Sequence, residues 1–210
     1  MKTGIYLLFA YTMLTSGLHA QKNMEGEYVL EGVREMACAF KLNADSTFEF
    51  YFSYGALDRY GSGNWATDKD KIIFTGKPSP GKDYKLVSTS ATNSNLPVLK
   101  LEDKNTYLYR MIYCRLLSAQ HDIIIPFNNS GILNLPYAAD SIQFLSDLCP
   151  EKVSSFTLQS KPLTYTFNFE PWILEVFFER NTFHYEEGFF EGSFPLLQSG
   201  RTYRFEKQTN

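Results

Sequence analysis

The sequence predicts an all-β protein, an antiparallel meander or barrel followed by a second, sandwich-like β domain, on three observations. First, 18 Phe and 14 Tyr among 210 residues suit pleated, half-buried surfaces. Second, Phe48, Phe50 and Phe52 alternate with Glu49, Tyr51 and Ser53, a period of two that sets three phenylalanines on one face. Third, polar turn clusters recur between such runs, among them Asn43-Ala44-Asp45-Ser46, Asp68-Lys69-Asp70-Lys71 and Ser79-Pro80-Gly81.

Taken in chain order, residues 1–20 read as a secretory signal. Lys2 supplies a positive start, Ile5 to Leu14 an apolar run, and Ser16-Gly17-Leu18-His19-Ala20 a small-residue exit before Gln21. The apolar run is about half the ~20 residues that a spanning helix needs, so cleavage after Ala20 is expected, with a periplasmic or extracellular product. No cysteine stands at the cleavage point for lipid attachment, and no later run is apolar enough for a transmembrane segment.

Cleavage removes Lys2, leaving 19 cationic side chains against 23 Asp and Glu. A mildly acidic chain without a basic block has no electrostatic reason to bind nucleic acid. Cys38, Cys114 and Cys149 permit one disulfide with one thiol left over, and spacing leaves all three pairings open.

Eight strands are expected at about 26–33, 36–42, 47–54, 60–66, 71–75, 84–88, 97–102 and 106–114. The last rests on the alternation of Tyr107, Tyr109, Met111 and Tyr113 with Leu108, Arg110, Ile112 and Cys114. Beyond the weakly apolar join Ser118–His121, further strands are expected at about 121–126, 131–135, 140–145, 153–159, 163–170, 172–179, 182–187 and 201–206. Pro136 and Pro150 bracket a short helix near 137–149. The domains are therefore expected at 21–116 and 117–210.

One segment resembles a known family. Phe40-Lys41-Leu42, a polar turn and Thr47-Phe48 are followed by Gly63-Asn64-Trp65 and by Ile72-Ile73-Phe74. This order is similar to that of secreted lipocalin-like domains of bacterial envelope proteins, over residues 26–114. The resemblance implies a small antiparallel barrel closed at one end by the tryptophan, and a cavity for a small apolar ligand. It implies no particular ligand residues.

Two constellations stand out for chemistry. Tyr54, Asp58, Arg59 and Tyr60 lie in a glycine-flanked stretch between strands. There an arginine can meet a carboxylate or sugar and tyrosine faces can stack on it; the plainer alternative is a hairpin tip. Glu175 and Glu179 share one face of the strand expected at 172–179, and His184 and Glu186 share a face of the next. Across a hairpin the four would form a site for a divalent cation or for acid–base chemistry; the plainer alternative is the solvated face of a sheet.

Nucleophile-elbow, zinc-helix and phosphate-loop patterns do not occur, and no cofactor is expected. The paired phenylalanines Phe177-Phe178 and Phe189-Phe190 face both sides of a strand, so each needs cover from the same chain or from a partner. The leading expectation is an exported, non-enzymatic protein that binds a protein partner or joins an envelope assembly. A carrier of a small apolar ligand is the alternative, and a hydrolase or metal site the second.

Overall fold

The alternating phenylalanines of residues 48–52 become the inner wall of a closed barrel. In a computed structural model, residues 24–55, 57–118, 122–198 and 200–209 are described; the expected export signal and His121 lie outside them. The chain opens with β1 (Gly26–Leu30), β2 (Met36–Leu42), β3 (Thr47–Tyr54), β4 (Leu57–Asp68) and β5 (Lys71–Gly76). Next come β6 (Tyr84–Ala91), β7 (Val98–Leu101), a 3-10 helix (Thr106–Met111), β8 (Ile112–Leu117) and β9 (Asp122–Pro126). β10 (Ile132–Asn134), β11 (Ser141–Ser146), β12 (Ser154–Thr157), β13 (Leu163–Phe169) and β14 (Glu175–Val176) follow. The chain finishes with β15 (Asn181–Glu186), β16 (Phe189–Gly192) and β17 (Tyr203–Lys207).

Eight strands close the barrel in the order β4-β3-β2-β1-β17-β16-β15-β5, with β5 returning to β4. All of these pairings are antiparallel. Its core is a cluster of rings. Phe40 lies 4.4–6.1 Å, centroid to centroid, from Phe48, Phe50, Phe74, Phe178, Phe183, Phe190, Phe194 and Phe205. Trp65 is buried beside them and donates its indole N–H to the Asn43 carbonyl at 3.2 Å.

The second body is formed by the chain between β5 and β14. Sheets β10-β7-β13-β6 and β12-β11-β8-β9 share one apolar core, in which Phe144 packs edge-on to Tyr84 and Phe167. The first of these sheets is mixed, because β7 and β13 run parallel. A small third core, of Leu108, Leu148 and Cys149 with Leu57, Met111, Phe169 and Leu174 against it, fills the seam between sandwich and barrel.

Strand pairing therefore groups the chain differently from the expected division at 116/117. That point falls inside β8, and the barrel core joins residues 24–74 to residues 176–205. A barrel removes its free edges by closing on itself, and here the closure pairs β1 with β17 at opposite ends of the sequence.

Three local expectations also change. Residues 106–111 form a 3-10 helix that buries the adjacent Leu108 and Tyr109, which no period of two can do. Of the two readings of 137–149, the strand expected at 140–145 forms as β11, whose residues alternate between half-buried and buried, and the short helix does not. Of the strand expected at 172–179, only Glu175–Val176 pairs, parallel to β4.

That short strand fills a gap in the barrel wall. β5 pairs with the far half of β4, so the near half leaves an opening, which β14 and Phe178 occupy. The Gly76 N–H donates to the Phe178 carbonyl at 2.8 Å. Gly61 makes room, since a Cβ there would stand 2.6 Å from the Phe178 ring and 2.8 Å from the Val176 carbonyl oxygen.

Candidate functional site

The functional reading turns on β4, whose two faces have different destinies. Arg59, Gly61, Gly63 and Trp65 face inward, whereas Asp58, Tyr60 and Ser62 face out. The sequence placed Arg59 together with Tyr54, Asp58 and Tyr60, and the structure separates it from them.

Arg59 is 1% exposed and forms a bidentate ion pair with Glu151, with Nη1 at 3.2 Å from Oε2 and Nη2 on Oε1. Its Nε donates to the Leu174 carbonyl at 3.4 Å. The Glu151 backbone is open to solvent, but its side chain is only 19% exposed. Beside it, Lys152 Nζ donates to Asp83 Oδ1 at 3.0 Å and to the Trp172 and Ile173 carbonyls at 3.1 and 3.0 Å. Burial raises the Asp83 carboxyl above the usual carboxylate range, with Lys152 pulling the other way. Every donor on Lys152 thus has an acceptor, and Arg59 is held by a matched fork. The Arg59–Glu151 pair holds the barrel to the second body, and Lys152–Asp83 ties together segments of the second body beside it; the arginine is not free for a ligand.

The outer face of β4 lines something different. A trough of about 840 Å³ runs between the outer barrel wall and the second body. On the barrel side its wall is built from register. Glu27, Lys41, Glu49 and Ser62 stand opposite one another across β1–β4, and Ala39, Tyr51, Tyr60 and Glu175 form the next row. Asp103, Leu108, Phe169, Glu170 and Leu174 supply the facing wall.

The trough continues into a cavity of about 490 Å³, sharing Tyr60, Leu108 and Leu174 with it. Leu57, Leu108, Met111, Leu148 and Leu174 give this cavity its apolar surface, and Tyr54, Tyr60, Tyr107, Asp58, Arg110 and Asp147 its rim. Tyr54, Tyr60 and Tyr107 are 53%, 60% and 56% exposed. Tyr51 donates its hydroxyl to Asp58 at 3.0 Å and packs against Tyr60 with ring centroids 6.4 Å apart. Of the residues singled out in the sequence, Tyr54, Asp58 and Tyr60 line this cavity and Arg59 does not; Tyr107 and Leu174, not singled out there, line it from elements with no sequence link to β4.

The four residues proposed for a cation do not converge. Glu175 pairs with Lys77 at 2.7 Å, and Glu179 lies beside a separate pocket with Asp83 and Lys152. His184 sits on an exposed face between Asp70 at 3.3 Å and Glu186 at 3.2 Å. Among the described residues no group of three or more His, Cys, Asp or Glu is arranged to hold a metal ion. The hairpin that was to unite them does not form, because only two residues of its first strand are paired.

The barrel interior expected to house a small apolar ligand is instead packed with the rings around Phe40. Phe178, Phe190 and Phe194 belong to that packing; Phe177 lies under Lys152 and Lys77, and Phe189 under Arg204 at 3.5 Å. The phenylalanines of the last third of the chain are therefore covered from within. All three cysteines are free and buried. Burial pushes the Cys114 thiol up to about 12 and the Cys149 thiol up to about 11. No helix among the described residues is long and apolar enough to cross a membrane.

No family model matches the chain, no curated protein matches it in sequence, and no solved structure matches its fold.

Proposed function

We propose that the protein is an exported, non-enzymatic binding protein that engages a partner in the tyrosine-rimmed trough between its barrel and its second body. One observation carries this: Tyr54, Tyr60 and Tyr107, all more than half exposed, gather from three elements around one apolar-floored cavity. Exposed tyrosines with an apolar floor behind them offer large contact area at low conformational cost and keep a polar tip for hydrogen bonding. The lengths of wall on either side are fixed by β-sheet register and by the Arg59–Glu151 pair, so the trough is preformed. Export is supported by the pattern of residues 1–20, and the non-enzymatic reading by the sequence's lack of a catalytic motif.

The test is amide chemical-shift mapping of the mature protein against a panel of short peptides and neutral oligosaccharides. The expected result is saturable shifts confined to Tyr51–Tyr60, Tyr107–Met111 and Leu174. A Tyr60→Ala/Tyr107→Ala variant should weaken that binding about tenfold or more with its melting temperature unchanged. Shifts that map to other surfaces, or no binding by any class in the panel, would overturn the proposal.

A further inference from the structure

The charge of the trough chooses its occupant. Glu27, Glu49 and Asp58 lie on the barrel wall, Asp103, Asp147 and Glu170 on the facing wall, and Glu175 where they meet. Against these seven carboxylates the lining supplies two cations, Lys41 and Arg110. The trough thus carries five net negative charges where the whole chain carries −3, so the rest of the molecule is net positive. This is a concentration of charge, not the average acidity of the protein, and a cleft between low-dielectric walls focuses such a field.

Some of these carboxylates are already engaged. Lys41 reaches Glu49 at 3.5 Å, Lys77 reaches Glu175 at 2.7 Å, Tyr51 holds Asp58, and Tyr113 donates to Asp147 at 2.7 Å. Glu27 and Glu170 have no ion-pair partner among the described residues. They stand on opposite walls of the groove.

We infer that the occupant of the trough is a basic, extended peptide segment of a partner protein. The inference rests on the trough being the binding site, and it names what the trough selects. Cationic side chains of such a segment meet Glu27 and Glu170 at one end and the faces of Tyr60 and Tyr107 at the other, where cation–π attraction adds to the charge. The barrel wall spans β1 to β4, three steps of about 4.8 Å, so it accommodates roughly four extended residues, and the adjoining cavity takes more. A stretch of about eight residues fills both. Neutral sugars would use the tyrosines and donate hydroxyls to the carboxylates, but they would leave the trough's net charge unneutralised.

Calorimetric titration of the mature protein tests this with a capped octapeptide alternating Arg and Ala, the same peptide with Glu for Arg, and a neutral hexasaccharide. The Arg peptide should bind, weaken about tenfold or more between about 50 mM and about 500 mM salt, and weaken about tenfold with Glu27→Gln/Glu170→Gln. The Glu peptide should not bind. Equal binding of the Arg peptide by the double variant, or tight binding of the Glu peptide, overturns the inference. Binding of the hexasaccharide with none of the Arg peptide overturns the basic-peptide assignment while leaving the trough as the binding site. No binding by any of the three, together with a shift map silent at the trough, overturns both.

Discussion

Arg59→Met is the sharpest perturbation of the joint between barrel and second body. Arg59 is 1% exposed, and its guanidinium holds both carboxylate oxygens of Glu151 and the Leu174 carbonyl. Methionine fills much the same volume but leaves Glu151, 19% exposed, without a countercharge. Breaking one side of a buried ion pair costs about 3–5 kcal/mol. The residual exposure of Glu151 and the nearby Lys152 place this variant at the lower end, about 3 kcal/mol, or more than roughly a hundredfold in the folding equilibrium. Arg59→Met/Glu151→Leu removes both charges together, and it should recover most of that loss or exceed the parent in stability. Urea denaturation followed by tryptophan fluorescence reads both variants. Trp65 reports on the barrel and Trp172 on the seam, so loss of the joint should also split one transition into two. A single variant within about 1 kcal/mol of the parent, or a double variant no better than the single, would refute the reasoning.

Three further outcomes follow from the packing. The thiols of Cys38, Cys114 and Cys149 are buried, and the latter two are held at about 12 and about 11, so the native protein should not react with a thiol reagent near pH 8; three equivalents should react after unfolding, and fast native labelling of any would contradict their burial. Gly63→Ala would put a Cβ 2.2 Å from the Thr75 carbonyl oxygen and 2.6 Å from the Gly76 Cα, so the β4–β5 contact must open; a loss of about 2 kcal/mol or more is expected in thermal melts, and an unchanged melting temperature would contradict it. Asp122 accepts two 2.6 Å bonds from Arg115, which hold its carboxyl below 3.8. With the folded value depressed, its contribution to stability is present above the unfolded value and lost as pH falls through the folded one; a carbon-detected NMR titration should place the Asp122 midpoint below 3.8, and Arg115→Gln should return it toward 3.8.

The parts of the fold that were legible are those where one face is buried and pairing is local. Phe48, Phe50 and Phe52 alternate with solvent-facing residues because β3 has a packed side and a wet side, and a period of two records that directly. The strand expected at 97–102 is legible in the same way, as β7 buries Leu99 and Leu101 and leaves Val98 and Lys100 half-buried. Residues 106–111 mislead because Tyr-Leu-Tyr-Arg-Met alternates in letters, while the 3-10 helix buries Leu108 and Tyr109 side by side. Barrel closure was illegible, since nothing local in β1 announces a partner some 175 residues away in β17.

Arg59 lies between these cases. It was singled out, but as a ligand contact. Counting by twos from the buried Trp65 through Gly63 and Gly61 puts Arg59 on the inner face, and that was the available signal for a structural role. Its partner Glu151, 92 residues on, carries no such signal. The trough was half legible for the same reason: Tyr54, Asp58 and Tyr60 mark one wall, but the cavity exists only once Tyr107 and Leu174 are brought against them.

The most direct measurement of the central claim is where a bound peptide touches the protein. A photo-reactive phenylalanine analogue in place of Tyr107, at the rim of the trough, is compared with one in place of Val87 on β6, exposed and outside the trough lining. The account predicts that the basic octapeptide cross-links on illumination at position 107, competed away by excess unlabelled peptide, and not at position 87. Equal labelling at both positions, or labelling at 87 alone, would contradict it.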